Sequence, residues 1–314
     1  MTPMLDVQAL RVSMRGGAQI LDDVSISVAP GQIMGVVGES GCGKSTLLRA
    51  ILGILPSGAR SSGGVLFRGE DILSRPDHGR GRIGFIPQDP YLSLNPTFRA
   101  GDQILEIMRR HAPDGRSSHR ARLVELFRAV QLPDPEAALR KYPHEFSGGQ
   151  RQRLLIAAAL SCEPALIVAD EPTTALDVTT QCEILGLLRG IARARNLSML
   201  FVTHDFGVLA SLCDAVSVLY AGRVAEAGPT RAVLEAPAHP YTRMLLACHP
   251  DRAVELAGIP GTVPPATAQP SGCRFHPRCP VAQPDCSTAV PPLLPLGAGR
   301  SVACPYHARE LALA

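Results

Sequence analysis

Apolar and polar residues alternate with a period of two through Val24-Ser-Ile-Ser-Val28, and residues 1 to about 30 read as antiparallel strands with one buried face. Two other runs are apolar throughout, Ile33 to Val37 and Ala165 to Ala169. Such runs suit strands covered on both faces of a parallel sheet. Further strands are predicted at 198–203 and 215–220, with a small hairpin around Ala221-Gly222-Arg223. Between the two halves, residues 97 to 163 read as mainly helical. Gly101 to Met108 and Ser117 to Val130 carry helical apolar spacing, parted by a polar turn with Pro113 and Gly115. Lys44 to Leu52 and Arg151 to Leu160 are two more predicted helices. Past residue 235 the character changes, with Pro240, Pro250, Pro260, Pro264, Pro265 and Pro270 in succession, and no internal repeat is visible anywhere.

The junction after the first apolar run reads Gly38-Glu39-Ser40-Gly41-Cys42-Gly43-Lys44-Ser45-Thr46, which fits G-x-x-x-x-G-K-[ST] between a strand and a helix. Its glycines free backbone N–H groups to turn around phosphates. Lys44 then reaches the outer phosphates and the Ser45 hydroxyl ligates Mg2+. Without that context the run would be a glycine-rich turn with a chance lysine. The second apolar run stops at Asp170-Glu171-Pro172, so a parallel strand delivers two acids at its carboxyl end. Asp170 is expected to hold Mg2+, directly or through water, and Glu171 to orient and deprotonate the attacking water. A surface acid after a strand is the plainer alternative for Glu171. Phe146-Ser147-Gly148-Gly149-Gln150 precedes a strong helix former, so Ser147 and the glycines mark a second helix start that favours an anion.

Two phosphate-binding helix starts in one chain are more than one nucleotide needs from one subunit, and the motifs together resemble the ATP-binding subunits of ABC transporters. In that family one subunit's signature, here Ser147 and Gly149, closes over ATP held by the other's P-loop. The resemblance further assigns Gln88, in Gly84-Phe-Ile-Pro-Gln-Asp-Pro90, to the glutamine that senses Mg2+ and the catalytic water. It assigns Asp177, in Ala175-Leu176-Asp177, to the D-loop and His204, in Phe201-Val-Thr-His-Asp205, to the switch histidine on the γ-phosphate. The implied fold class is α/β: a RecA-like P-loop core with an antiparallel N-terminal β-subdomain, an inserted helical subdomain and a cysteine-containing C-terminal extension. One departure is Met14, where the family usually stacks an aromatic ring on adenine; a thioether contact is softer. Cys42 within the loop predicts inhibition by alkylating reagents, or is only a small filler.

The extension carries the branch resemblance. His239-Pro-Tyr-Thr-Arg243, Ile259-Pro-Gly261 and Gly272-Cys-Arg-Phe-His-Pro-Arg-Cys-Pro280 resemble the tail of oligopeptide and dipeptide importer ATPases, as does Gln88 to Pro96. Pro172 to Val178 is similar to the D-type subunit. This implies an ATPase domain over 1–235 and an extension over 236–314. It also implies a second, F-type ATPase partner, two membrane permease subunits and an extracytoplasmic substrate-binding protein. Leu52-Gly-Ile-Leu-Pro56 resembles nickel importers of the same subunit type, so nickel or a metal chelate is the rival cargo to peptides. Soluble ABC ATPases acting on DNA or ribosomes fit less well, because only about a hundred residues separate the two phosphate motifs and a single cassette is present.

Composition changes this picture little. No stretch of the 314 residues approaches the ~20 apolar positions of a membrane span, and Met1 to Val7 lacks an export pattern. A place on the cytoplasmic face of the inner membrane is therefore expected. A net charge of +3 gives no footprint for nucleic acid. Nine cysteines are unevenly spread, and Cys273, Cys279, Cys286 and Cys304 crowd the tail. Their spacing matches neither zinc ribbons nor bacterial ferredoxins. Zinc and four free thiols stay open beside a 4Fe-4S cluster, which the resemblance to peptide-importer tails implies.

Overall fold

The computed structural model describes residues 2–75, 81–112, 118–248 and 258–307. Pro113, Gly115, Ser117 and Pro250 lie outside them. Along the chain come β1 (Leu5–Ser13), β2 (Gln19–Val28), β3 (Ile33–Val37), α1 (Lys44–Ile51), β4 (Arg60–Phe67), β5 (Glu70–Asp71) and β6 (Ile83–Ile86). Next are α2 (Ala100–His111), α3 (His119–Ala129), α4 (Pro135–Ala138), α5 (Gly148–Leu160), β7 (Leu166–Asp170), α6 (Val178–Arg195), β8 (Ser198–Val202) and α7 (Phe206–Leu212). The order ends with β9 (Ala215–Tyr220), β10 (Arg223–Pro229), α8 (Thr230–Glu235), α9 (Pro240–Ala247), β11 (Leu294–Gly297) and β12 (Arg300–Val302). Among the described residues no helix is long and apolar enough to cross a membrane.

Two compact units share these elements: Met1–Val28, Gln32–Ser74 and Val202–Ala314 form one, Ala29–Gly31 and Arg75–Phe201 the other. The first contains an antiparallel sheet in the order β2-β1-β4-β5. Leu5 and Val7 face inward, then Leu10 and Val12, a change of phase along β1. The register shift between Val7 and Leu10, with Ala9 at φ 46°, is the bulge that returns the later apolar pair to the buried face. The same unit holds strands in the order β11-β12-β10-β9-β3. All five residues of β3 are buried, and it runs parallel to β9 with Met34 opposite Ala215. The proline-rich tail is more regular than its composition predicts. Pro240 starts α9 from its first turn, where a missing N–H costs nothing, and β12 pairs antiparallel with β10.

The second unit runs its strands β8-β7-β6, with β6 parallel to β7. Its helices α2, α3 and α5 close around Ile104, Met108, Leu123, Phe127, Leu154 and Ile156, all nearly inaccessible. Arg153 is buried on α5 and stays satisfied. It donates to the Val130 carbonyl (3.0 Å), Gln131 Oε1 (2.9 Å) and Glu183 Oε2 (3.0 Å).

Candidate functional site

The phosphate loop joins β3 to α1. Gly43 is the cap residue of α1 at φ 106° and ψ 2°, a conformation closed to most side chains, and a Cβ there would lie 2.6 Å from Leu21. A Cβ on Gly38 would collide with the Leu219 carbonyl. The Cys42 carbonyl turns outward to accept the Gly222 N–H at 2.9 Å. Lys44 is 7% exposed and curls back over the loop, its ammonium donating to the carbonyls of Gly38 (2.7 Å) and Glu39 (3.1 Å). Ser40, Gly41 and Ser45 are exposed and Thr46 half-buried, so the rim of the loop is open to a ligand. In the same unit the chain leaving β8 bonds Thr203 N–H to the Val36 carbonyl, and exposed His204 follows immediately. Asp205 then caps α7 by accepting from Gly207 and Val208.

Cys42 does not fit the expectation of a reactive thiol. It is fully buried, and burial pushes its pKa up against the opposing pull of Lys44, so the nucleophilic thiolate is disfavoured.

In the second unit β7 ends on Asp170, and Glu171 follows at φ 43°, a left-handed backbone for a non-glycine residue. Gln88 Nε2 lies 3.5 Å from Glu171 Oε2 and the Thr174 hydroxyl donates to that oxygen at 3.2 Å. The glutamine and the expected general base are thus brought together. The signature forms a capping box: Ser147 Oγ accepts the Gln150 N–H at 3.3 Å while Gln150 Oε1 accepts the Ser147 N–H at 3.1 Å. That box lets α5 begin at Gly148, three residues earlier than the apolar pattern predicts.

Asp177 caps α6, accepting from the Thr180 N–H (3.0 Å) and hydroxyl (2.8 Å), and these bonds hold its carboxyl below the usual range. Ser147, Gly149 and Asp177 line one open cavity of about 490 Å³. Tyr91 and Thr180 line it too, and neither is marked by its residue type in the sequence. Arg151 stacks on Tyr91 at 4.2 Å and donates to the Pro143 carbonyl at 2.8 Å, fixing the ring beside the signature.

Met14 follows β1 at the turn into β2, its carbonyl accepting the Gly17 N–H at 3.1 Å.

The four tail cysteines gather in the first unit. Burial raises the pKa of Cys273, Cys279 and Cys304, Cys279 to about 11, and the proximity of the other thiols adds to it. Even so, among the described residues no group of three or more His, Cys, Asp or Glu side chains is placed to hold a metal ion. Cys286 Sγ accepts the Gln283 N–H at 3.4 Å.

Known proteins resemble this chain over nearly its whole length. The family description "ABC transporter" matches residues 21–174 and "Oligopeptide/dipeptide transporter, C-terminal region" matches 225–286. The "Probable D,D-dipeptide transport ATP-binding protein DdpD" of Escherichia coli (strain K12) is 44% identical over 98% of this chain and 98% of its own length. The oligopeptide transport ATP-binding protein OppD of Salmonella typhimurium is 41% identical over 98% of this chain and 95% of its own. Among solved structures, cbiO1 of Clostridium perfringens, part of the ABC transporter complex cbiONQ, superposes with a TM-score of 0.66 at 28% identity, over 75% of this chain and 92% of that one. The chain belongs to the ATP-binding subunits of ABC transporters, in the oligopeptide/dipeptide branch, and is a transport ATPase.

Proposed function

We propose that this chain is the D-type ATPase subunit that powers import of dipeptides and oligopeptides through a membrane ABC transporter. The observation that carries the reading is one chain holding both a Lys44 phosphate loop and a capped Ser147 signature, with a C-terminal region of the peptide-transporter type. ATP and Mg2+ are its cofactors, as family membership implies. Gly38 to Thr46 cradle the phosphates, and Ser45, Asp170 and Gln88 hold or sense Mg2+. Glu171 activates water, His204 meets the γ-phosphate, and Ser147, Gly149 and Asp177 close over the nucleotide of a partner.

That partner is an F-type ATPase. The two sit beneath two permease subunits on the cytoplasmic face of the inner membrane and receive cargo from an extracytoplasmic binding protein. Residues 1–235 serve as the ATPase domain, with a helical subdomain at about 97–163, and residues 236–314 as the extension.

Cells lacking this gene are expected to lose uptake of labelled di- and oligopeptides and to regain it with the wild-type chain but not with Lys44→Ala. Normal peptide uptake with a nickel defect would replace the cargo and keep the ATPase chemistry.

Cys273, Cys279, Cys286 and Cys304 would be the ligands of a 4Fe-4S cluster, a reading supported by their soft donor sulfurs and by the peptide-transporter type of C-terminal region. Anaerobically purified chain should contain iron and acid-labile sulfide, and absence of both removes the cluster.

A further inference from the structure

Glu39 occupies a variable position of the phosphate loop, yet every polar group it has is engaged. Its carbonyl accepts from Lys44 at 3.1 Å, its N–H donates to the Tyr241 hydroxyl at 2.9 Å, and its carboxylate meets Arg278. The last two partners belong to the C-terminal extension. Arg278 Nη1 donates to Glu39 Oε2 at 2.8 Å and Nη2 to Oε1 at 3.1 Å, the paired geometry in which a guanidinium grips a carboxylate most firmly.

The rest of the arginine is fixed as well. Nε donates to the Pro260 carbonyl (2.8 Å), Nη2 to the Ile259 carbonyl (3.1 Å) and Nη1 to the Tyr220 hydroxyl (3.3 Å). All five donors of the group are thereby used, and the side chain is 5% exposed. Tyr241 and Phe275 are almost fully buried and pack with Tyr220 at centroid distances of 4.6 and 5.1 Å, so the platform beneath the ion pair is rigid.

A second link reaches the loop from its other side. Arg274 donates to the Ala221 carbonyl, and the neighbouring Gly222 N–H holds the Cys42 carbonyl. The same arginine is paired with Asp22 at 2.6 Å. Arg278 ends a short helical turn, His276–Arg278, Arg274 lies just before that turn, and Cys273 and Cys279 stand immediately outside the two arginines. One cysteine-bearing segment thus grips the phosphate loop both at Glu39 and, through the hairpin, at Cys42.

We propose that Arg278 is a positioning residue for the phosphate loop, fixing Glu39 and with it the carbonyl that Lys44 touches, so that nucleotide affinity depends on the folded cysteine-bearing extension. The inference rests on the loop binding ATP. Without the paired grip of Arg278 on its carboxylate, Glu39 and the carbonyl that Lys44 touches lose their fixed position. Arg278 does not touch the reacting atoms, so its loss acts on binding and leaves the chemical step alone.

The test uses the full-length chain, measuring equilibrium binding of Mg-ATP and the KM and kcat of hydrolysis. Arg278→Ala is expected to weaken ATP binding and raise KM by roughly fivefold or more, the range of ordinary coupling between sites, with kcat little changed. Arg278→Lys, which keeps the charge and loses the paired geometry, should fall between. Glu39→Gln keeps the shape of the loop and should reproduce the loss, and adding Arg278→Ala to it should cost nothing further.

Unchanged ATP affinity in Arg278→Ala, fully additive effects in the double variant, or a lower melting temperature with unaltered affinity would each overturn the proposal. Wild-type chain that binds no ATP, like Lys44→Ala, would instead remove the functional reading before any variant is compared.

Discussion

Glu171 follows the acidic strand end with its backbone at φ 43°, which a residue with a Cβ adopts at a cost of about 1–3 kcal/mol. Strain of that size persists where surrounding contacts over-determine it, and here Gln88 and Thr174 converge on one carboxylate oxygen. The residue types at Gln88, Asp170 and Glu171 were legible because each motif demands a particular chemical group at a particular place. Glu39 was not, since the loop pattern leaves its position free and its partner lies 239 residues away. Cys42 shows the same limit from the other side. Its place between loop glycines suggests access, whereas its full burial comes from packing that local sequence does not encode.

Elements were legible where a single period governs them. β3 and β9 fall on the predicted residues because they are short, almost wholly apolar and covered on both faces, Ser217 of β9 being the one buried polar residue in the pair. Helix α9 was missed because prolines dominate the reading of its surroundings, and only the cap reveals the start. His239 supplies that cap: its Nδ1 accepts the Tyr241 N–H at 3.0 Å, and its own N–H donates to Glu226 at 2.9 Å. Burial drives its pKa from 6.5 down to about 3, so the folded state holds it neutral. Protonation would place a charge beside Phe275 and turn the accepting nitrogen into a donor facing another donor.

The sign follows directly. Between pH 6.5 and about 3 the unfolded chain binds the proton and the folded chain does not, so stability is complete above 6.5 and falls as pH drops. The slope approaches about 1.4 kcal/mol per pH unit for this one group. Melting temperatures measured from pH 7 to pH 5 should therefore fall more steeply for the wild type than for His239→Asn, whose amide oxygen can still cap α9. Parallel curves would assign the acid sensitivity to other groups.

At the scale of the whole molecule, sequence pattern placed a boundary near residue 235, where periodic structure gives way to prolines. The contacts continue across it. β12 extends the sheet by pairing with β10, Glu226 opposite Val302 and Ala227 opposite Ser301. Glu226 is fully buried, and its carboxylate is satisfied entirely from beyond the boundary, by the N–H groups of Ala238 and His239 and by Arg300 at 2.9 Å. Tyr241, Leu246, Phe275 and Val302 are also buried from that side. At about 1.5–3 kcal/mol for each large apolar side chain, those four alone contribute an amount comparable to the whole ~5–15 kcal/mol stability of a domain.

A chain ending at residue 235 would keep Glu226 without its donors and leave the β10 edge open to pairing with other chains. Expressed alone, residues 1–235 are expected to aggregate or to melt many degrees below the full-length protein, as read by soluble yield and thermal unfolding. A soluble 1–235 fragment melting within a few degrees of the full chain would show that the extension is an appendage. It would also mean that the donors Glu226 finds beyond residue 235 contribute little to stability.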